Sequence, residues 1–403
     1  MGAASALFRG ARLHDDDSED DTYTSPVPIA FCGSPATTLG IELELGLVDR
    51  RTRALVGAAT EVLAELGSGR PDGEHPFVKH ELFQCTVEVI TGVCEDVAAA
   101  RADLECTLAQ LRGVLAPRGL TLIGSGTHPF SRWRDLEVSP LQRYADLVEA
   151  LQWPARRMAI HGVHFHVGVP SGEHAIAAVN ALAFDLPVFL ALSASSPYWL
   201  GDDTGMASAR TKIFEGLPTA GLPPRLADWA DFERFMQSLL TAKVVNTIRE
   251  VWWDVRPHPD FGTVELRMCD GIASMDEVAA IAALAHCLVA DLCDRFDRGE
   301  RVEDAREWIV RENKWLASRY GLDTSLIVDD SGQRRPAVDL VLELVERLRP
   351  WATRLRCVDE LDHVRAMVER GPSYKRQRSM VEAGAGMHDL VDALAREHEV
   401  GLA

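Results

Sequence analysis

Polar and apolar residues alternate along four separate stretches of the chain. In the first, 38–49, apolar side chains at every second position alternate with Glu42, Glu44 and Gly46. A period of two is typical of a half-buried strand, because successive side chains point to opposite faces. Strands ordinarily disfavour glutamate, and two neighbouring carboxylates repel each other. The pattern therefore predicts a strand whose glutamate-bearing face is either solvated or part of a binding site.

The same choice of polar residues recurs in three further stretches. Their polar faces carry His164 and His166 in 161–169, Glu265 and Arg267 in 262–268, and Gln84, Thr86 and Glu88 in 81–90. Chance alternation explains one or two such strands, but not four with carboxylates, imidazoles and a guanidinium on the polar side. We therefore predict one sheet whose concave polar face is a metal and anion site.

Glu81 fits this sheet less simply. It lies seven residues before Glu88, an odd number, so a straight strand would place the two carboxylates on opposite faces. A bulge or bend near Phe83 would be needed to bring Glu81 to the polar face.

Apolar residues at helical spacing separate and follow the predicted strands. The predicted helices cover 57–66, 95–116, 173–193, 231–241 and 276–298, and the remainder, 303–398, is predicted to be helical throughout. Helices and strands do not follow a βαβ rhythm, and no Rossmann fingerprint or P-loop is present. This order predicts an α+β fold, an antiparallel sheet with helices packed on one face, in a single domain over 31–400.

Charge and composition exclude several classes of protein. A dense acidic block at 14–21 predicts a disordered acidic arm over 1–30. The net charge of −19 argues against nucleic acid or an acidic membrane as a partner. No apolar run is expected to reach transmembrane length, and the N-terminus does not resemble a secretory signal. The eight cysteines form no C-x-x-C pair, so neither a zinc ribbon nor a thioredoxin-like motif is indicated. Several lie in apolar runs, as expected of reduced core residues in a cytoplasmic protein. A homo-oligomer remains open.

The polar residues of the predicted sheet suit divalent cations. Mg²⁺ prefers oxygen ligands, and Mn²⁺ also accepts imidazole. Carboxylates from several strands around two or three cations can hold a nucleoside triphosphate without a P-loop, because the cations bridge phosphate oxygens. Arg267, beside Glu265, is suited to hold the moving phosphoryl group. The residues thus predict Mg²⁺ or Mn²⁺ as cofactor and ATP as co-substrate.

Ordinary structural roles compete with this interpretation. A single buried histidine is more often a hydrogen-bonded core residue than a ligand, whereas His164 and His166 together on one face favour a site. Arg256 or Arg210, taken alone, would be a surface charge. The tryptophans at 252, 253, 308 and 315 are more often core residues than cofactor contacts.

Five motifs resemble one family of enzymes. They are G-I-E-x-E at 40–44, E-x6-E at 81–88, H-x-H at 164–166, S-x-S-S-P-x-W-x-G at 193–201 and R-P-H-P-x-F-G-T-V-E-x-R at 256–267. Together they resemble the carboxylate-amine ligases called glutamate–cysteine ligase type 2, over about residues 37–380. More distantly, their order is similar to that of glutamine synthetase. The resemblance implies a glutamine-synthetase-like catalytic fold with a saddle-shaped antiparallel sheet.

The resemblance also implies a reaction and a set of site residues. ATP would phosphorylate the γ-carboxylate of L-glutamate, and the amine of L-cysteine would attack the acyl phosphate to give γ-glutamylcysteine. The implied metal ligands are Glu42, Glu44, Glu88, His164 and Glu265. His166 and Arg267 would contact the transferred phosphoryl group, and Arg256 the glutamate carboxylate or a phosphate. Further candidates for substrate or ATP contacts are Glu81, Arg210, Ser193, Ser195 and Arg319.

Two alternatives to this activity stay open. No motif reports a thiol, so the enzyme could instead join another acid or amine, or be a guanidino- or phospho-transferring relative. A metal- or nucleotide-binding protein without turnover is the third hypothesis. The pair Glu265 and Arg267 argues against it, since a binding protein has no need of a phosphoryl-facing arginine.

Overall fold

The computed structural model describes residues 28–70, 73–300 and 306–400. The predicted acidic arm, 1–30, lies outside these ranges except for its last three residues. The strands are β1 (Leu39–Asp49), β2 (Val78–His80), β3 (Thr86–Ile90), β4 (Leu120–Ile123), β5 (Gly162–Gly168), β6 (Tyr198–Trp199), β7 (Asp202–Asp203), β8 (Val255–His258), β9 (Thr263–Asp270), β10 (Ser325–Ile327) and β11 (Arg334–Pro336).

Helices occupy most of the remaining described chain. They are α1 (Ala59–Gly67), α2 (Val97–Leu115), α3 (Gln142–Leu151), α4 (Trp153–Arg156), α5 (Gly172–Ser193), α6 (Ala209–Phe214), α7 (Trp229–Thr241), α8 (Met275–Asp297), α9 (Glu307–Tyr320), α10 (Ala337–Arg354), α11 (Val358–Arg370), α12 (Ser373–Glu382) and α13 (Met387–Val400). Short 3₁₀ turns lie at Ala116–Arg118, Trp133–Asp135 and Ile248–Glu250.

Seven strands form one antiparallel sheet. Its order is β2-β3-β1-β5-β9-β8, and β4 pairs with the C-terminal end of β1. The eleven-residue strand β1 therefore contacts three partners, with β3 along one edge and β5 followed by β4 along the other. Two separate two-stranded sheets, β6-β7 and β10-β11, lie apart from it.

The apolar face of the sheet forms the main core. Leu43, Val163, Phe165 and Leu266 are all buried there, and helices α2, α5 and α8 pack against it. Helices α9, α10 and α11 pack in turn on α5 and α8, which gives a second helical layer. Because apolar side chains leave each strand on one side, the carboxylate and imidazole side chains emerge together on the other. The predicted α+β fold with an antiparallel sheet is confirmed.

The long core helix α5 corrects one expectation from sequence. Its 22 residues are long and apolar enough to cross a membrane, contrary to the prediction that no run reaches that length. Most of the helix is buried inside the protein, against the sheet and the second helical layer. Its N-cap, Ser171, accepts a hydrogen bond from the backbone N–H of His174, as expected at a helix start.

Three predicted elements differ in the structure. Residues 81–90 are not one strand, because the chain reverses between β2 and β3, which pair as an antiparallel hairpin. The strand β8 was missed, since its four residues, Val-Arg-Pro-His, are too few to establish a period and include a proline, which is tolerated here because β8 is an edge strand. The region 303–398 is not helical throughout, because the hairpin β10-β11 interrupts it.

A buried lysine ties α9 to the edge of the sheet. Nζ of Lys314 lies 2.6 Å from Oδ2 of Asp254, which precedes β8, and 2.7 Å from Oε1 of Glu215, which follows α6. We expect Lys314→Met to lower the free energy of unfolding by about 3–5 kcal/mol, because it leaves a buried carboxylate without its partner. Urea denaturation measures this change.

The matched control for this prediction is Lys375→Met. Lys375 also pairs with a carboxylate, that of Asp323, but both side chains are exposed. Exposed pairs contribute about 0–1 kcal/mol, so this variant should unfold almost like the wild type. Equal stabilities of the two variants would contradict a structural role for the Lys314 contacts.

Candidate active site

Strand register brings the predicted polar residues into adjacent rows. Directly opposite pairs are Glu44 and Glu88 on β1 and β3, Glu42 and His164 on β1 and β5, His166 and Glu265 on β5 and β9, and Glu265 and Arg256 on β9 and β8. Opposite residues on neighbouring strands have Cβ atoms about 5 Å apart. The register alone therefore gathers residues that are up to 223 positions apart, Glu42 and Glu265, on one face of the sheet.

One group of potential metal ligands consists of Glu42, His166 and Glu265. Each offers one ligand atom, and these atoms lie within 4.8 Å of one another. Nε2 of His166 is 3.1 Å from Oε1 of Glu42 and 3.9 Å from Oε1 of Glu265. Burial opposes the charge on His166, but Glu265 and Glu42 outweigh it and raise its pKa.

A second group consists of Glu42, Glu88 and His164, again with ligand atoms within 4.8 Å of one another. Nδ1 of His164 lies 3.0 Å from Oε2 of Glu42. Burial, and then the nearby carboxylate of Glu42, raise the pKa of Glu88 well above its usual range. The two groups share Glu42, whose two oxygens face different histidines.

The donor chemistry of both groups fits a divalent cation. Nε2 of His164 is buried without a hydrogen-bond partner among the described residues, and Nε2 of His166 faces only the carboxylate oxygens of Glu42 and Glu265, at 3.1 and 3.9 Å. A neutral imidazole that donates from Nδ1 keeps a lone pair on Nε2, the atom a metal would use. Carboxylate and imidazole donors together suit Mg²⁺ or Mn²⁺. A cation would also offset the repulsion among Glu42, Glu44 and Glu88.

Two arginines hold Glu265 from either side. Nε of Arg256 donates to Oε2 of Glu265 at 2.6 Å, and Nη1 of Arg267 donates to Oε1. Burial opposes ionisation of Glu265, but both guanidiniums outweigh it and hold its pKa well below the usual range. Nη1 of Arg256 is further bound to the carbonyl oxygens of Val251 and Arg249. Arg256 is thus fixed by protein contacts, whereas Nε of Arg267 has no partner in the described part of the chain.

Arg210 reaches the same face from α6. Its Nη2 lies 3.4 Å from the carbonyl oxygen of Arg267, and a Cβ on Gly162 would overlap this nitrogen, so a larger residue there would displace the guanidinium. Glu44 accepts a hydrogen bond from the backbone N–H of Gly162. Burial opposes ionisation of Glu44, but His164 and then Arg210 lower its pKa. Glu44 therefore lies beside the second ligand group, with Oε1 3.7 Å from Nε2 of His164, without belonging to it.

The reversal of the chain after β2 places Glu81 near Glu42, Glu44 and Glu88, which together form the carboxylate cluster. Burial, with the Glu44 carboxylate adding to it, raises the pKa of Glu81 to about 7. Of the bulge or bend expected near Phe83, the structure has a bend, since a hairpin turn between His80 and Thr86 overcomes the odd spacing from Glu88. Gln84, predicted to share a face with Glu88, instead accepts a hydrogen bond from Thr60 Oγ1 at 2.8 Å.

The three remaining candidates make other contacts. Oγ of Ser193 donates to the carbonyl oxygen of Phe189, and Oγ of Ser195 to that of Gly271 at 2.7 Å. Arg319 donates to the carbonyl oxygen of Gly205. The structure does not bring these three side chains to the carboxylate cluster, and their internal bonds hold the loop from α5 to α6 in place.

Asp270, at the end of β9, is a supporting residue that sequence reasoning missed. Its carboxylate accepts hydrogen bonds from the backbone N–H of Ser195 at 2.9 Å, Oγ of Ser196 at 2.6 Å and Oγ of Ser208 at 2.7 Å. Ser208 is the N-cap of α6, so Asp270 positions the helix that carries Arg210. The only signal in the sequence was the dipeptide Asp-Gly, which is more typical of a turn.

Solved structures define the class of this fold. A glutamate–cysteine ligase from Francisella tularensis in complex with AMP superimposes with a TM-score of 0.69 at 12% identity, covering 93% of this chain and 90% of that one. The ligase PafA, in complex with the ubiquitin-like protein Pup, matches with a TM-score of 0.53 at 12% identity, covering 90% and 72%. The described chain has the fold of the glutamate–cysteine ligases.

Sequence comparison assigns the family. The profile of the glutamate-cysteine ligase family 2 (GCS2) matches residues 38–394. A protein of Frankia casuarinae, provisionally named glutamate–cysteine ligase 2-1, is 51% identical over 374 residues, covering 93% of this chain and 98% of its own. One from Thermobifida fusca, provisionally named glutamate–cysteine ligase 2, is 48% identical over 373 residues, covering 93% and 94%. The chain belongs to glutamate–cysteine ligase family 2, as its motifs predicted.

Proposed function

We propose that this protein is an ATP-dependent ligase that joins the γ-carboxylate of L-glutamate to the amine of L-cysteine through a γ-glutamyl phosphate. The observation that carries the proposal is the pair of ligand groups that share Glu42, with Arg267 directly beside them. Such a site suits a triphosphate, because bound cations and a guanidinium can together offset the negative charges of the phosphates.

Glu42, His166 and Glu265 would hold one cation, and Glu42, Glu88 and His164 a second. Glu44 would support the second group from its place beside His164. When bound, Mg²⁺ or Mn²⁺ would neutralise phosphate oxygens and favour the departure of ADP. The AMP bound in the Francisella tularensis enzyme supports a nucleotide as co-substrate.

The arginines would act on the group being transferred. A γ-carboxylate oxygen of glutamate attacks the γ-phosphorus of ATP, and the bond from that phosphorus to the ADP oxygen breaks. Arg267, whose Nε has no partner in the described residues, would donate to the moving phosphoryl oxygens, with His166 next to it. Arg256 would act mainly by keeping Glu265 ionised and in place.

The second step forms the amide. The amine nitrogen attacks the acyl carbon, the bond from that carbon to the phosphate oxygen breaks, and the amine loses a proton. Glu81 and Arg210 flank the carboxylate cluster and are our candidates for substrate contacts. Cysteine as the amine rests on the names of the relatives, since no residue described above selects a thiol. A single catalytic domain in the cytoplasm completes the proposal.

The test is a coupled assay of ADP release with ATP, Mg²⁺ and L-glutamate, to which each amino acid is added in turn, with products weighed by mass spectrometry. We expect cysteine-dependent ADP release, a γ-glutamylcysteine mass and no release after chelation of the metal. Hydroxylamine in place of the amine should give γ-glutamyl hydroxamate, which reports the acyl phosphate. Stimulation by another amine would replace the substrate but keep the mechanism. No release with any glutamate–amine pair would overturn the proposal.

A further inference from the structure

The turn between β8 and β9 exposes an aromatic ring beside the candidate active site. The side chain of Phe261 is 58% exposed. Its ring stacks on that of His258 with centroids 4.0 Å apart and planes only 6° from parallel. Both rings lie 5.8 Å from the ring of His166, which in turn contacts Glu42. An open aromatic face therefore stands next to the first ligand group.

Backbone contacts fix this turn. Gly262 has a φ of 65°, and a Cβ there would overlap the carbonyl oxygen of Cys32. The N–H of Val169 donates to the carbonyl of Gly262 at 3.0 Å, and the N–H of Cys32 to that of Pro259 at 2.9 Å. Exposing a phenyl ring to water is unfavourable, and this rigid turn prevents the ring from folding away. Such an arrangement suits a ring that is covered by a ligand.

The chemistry of the substrates decides which ligand this is. This step rests on the proposed function, in which the substrates are glutamate, cysteine and a nucleotide. Only the nucleotide carries a planar π system that can stack on an aromatic face. Since the His166 ring contacts both the ring pair and Glu42, a nucleotide whose base stacks on Phe261 has the ligand groups within reach of its phosphates.

We propose that Phe261 binds the purine base of the nucleotide by stacking on its exposed face, while His258 supports the ring from behind. Phe261 is then a residue for nucleotide affinity and takes no part in phosphoryl transfer. The rest of the nucleotide is held by its phosphates, so loss of the ring should weaken binding of the base alone.

Isothermal titration of the full chain in Mg²⁺ buffer tests this inference with two probes. One is AMP-PNP, a non-hydrolysable ATP analogue, and the other is inorganic tripolyphosphate, which has no base. We expect Phe261→Ala to weaken AMP-PNP binding by roughly 5- to 150-fold, the range of base–aromatic stacking, and to leave tripolyphosphate binding unchanged. Phe261→Trp should retain affinity for AMP-PNP. Trp308→Ala, which removes another exposed ring at 49% exposure on α9, should change neither.

Other outcomes would overturn the inference in distinguishable ways. Unchanged AMP-PNP affinity in Phe261→Ala would show that the ring does not contact the base. If the oligomeric state changed at the same time, the ring would instead be covered by a second copy of the chain. An equal loss for both probes would show a general effect on the site. Wild-type protein that binds neither probe would overturn the proposed function as well.

Discussion

Replacing Glu265 with glutamine is expected to reduce ADP release by about a hundred- to a thousandfold, the range seen when one preorganised electrostatic contact is lost. Glu265 has three roles in the geometry described above. It offers an oxygen to the first ligand group, and it pairs with Arg256 and with Arg267. The amide is nearly isosteric but neutral, so it loses the charge for the cation and leaves two buried guanidiniums without their anion.

Because those guanidiniums also affect stability, the assay of Glu265→Gln needs a folding measurement beside it. Circular dichroism at the assay temperature should show a folded protein. Glu343→Gln is the matched control, since Glu343 pairs with Arg335 on an exposed surface and should retain full turnover. A folded Glu265→Gln protein with wild-type turnover would remove Glu265 from the active site.

The second large effect is expected for Arg267→Lys, which should lower kcat about a hundredfold or more while the charge is kept. A guanidinium can donate to Glu265 through Nη1 and still present Nε and Nη2 to a phosphoryl group. A single ammonium cannot keep both contacts in the same geometry. Steady-state ADP release over a range of ATP concentrations separates the effect on kcat from that on KM.

Arg256→Lys provides the comparison for this prediction. Its guanidinium is already bound to Glu265 and to the carbonyl oxygens of Val251 and Arg249. We therefore expect it to reduce thermal stability more than Arg267→Lys does, and to reduce kcat less. The reverse order of kcat values would mean that Arg256, and not Arg267, contacts the transferred group.

The faces of the sheet could be predicted from sequence because period-two alternation reports them directly. In β1, β5 and β9, the alternation separates the apolar side chains of the core face from Glu42, His164 and Glu265 on the opposite face. The fold class followed from the same pattern. The roles of the individual site residues remain predictions, although the structure gathers most of them on one face.

What the sequence could not show depends on contacts between distant segments. The turn after His80 contains neither glycine nor proline, so the local sequence gives no sign that the chain reverses direction at Glu81. Arg256 lies in a four-residue edge strand that is too short to be recognised, and its pairing with Glu265 follows from register alone. Asp270 and Lys314 look like ordinary polar residues until the partners that surround them are known.

The position of β1 has a consequence for synthesis of the protein. Its partners lie at 86–90, 120–123 and 162–168, and β5 then needs β9, which ends at Asp270. Translation at ~5–20 residues per second requires roughly ten seconds to a minute to reach that point. Until then the edge of β5 lacks its neighbour and the apolar helix α5 lacks α8 and α9 to cover it. The nascent chain therefore passes through an aggregation-prone stage, and slower growth at low temperature should raise the yield of folded protein.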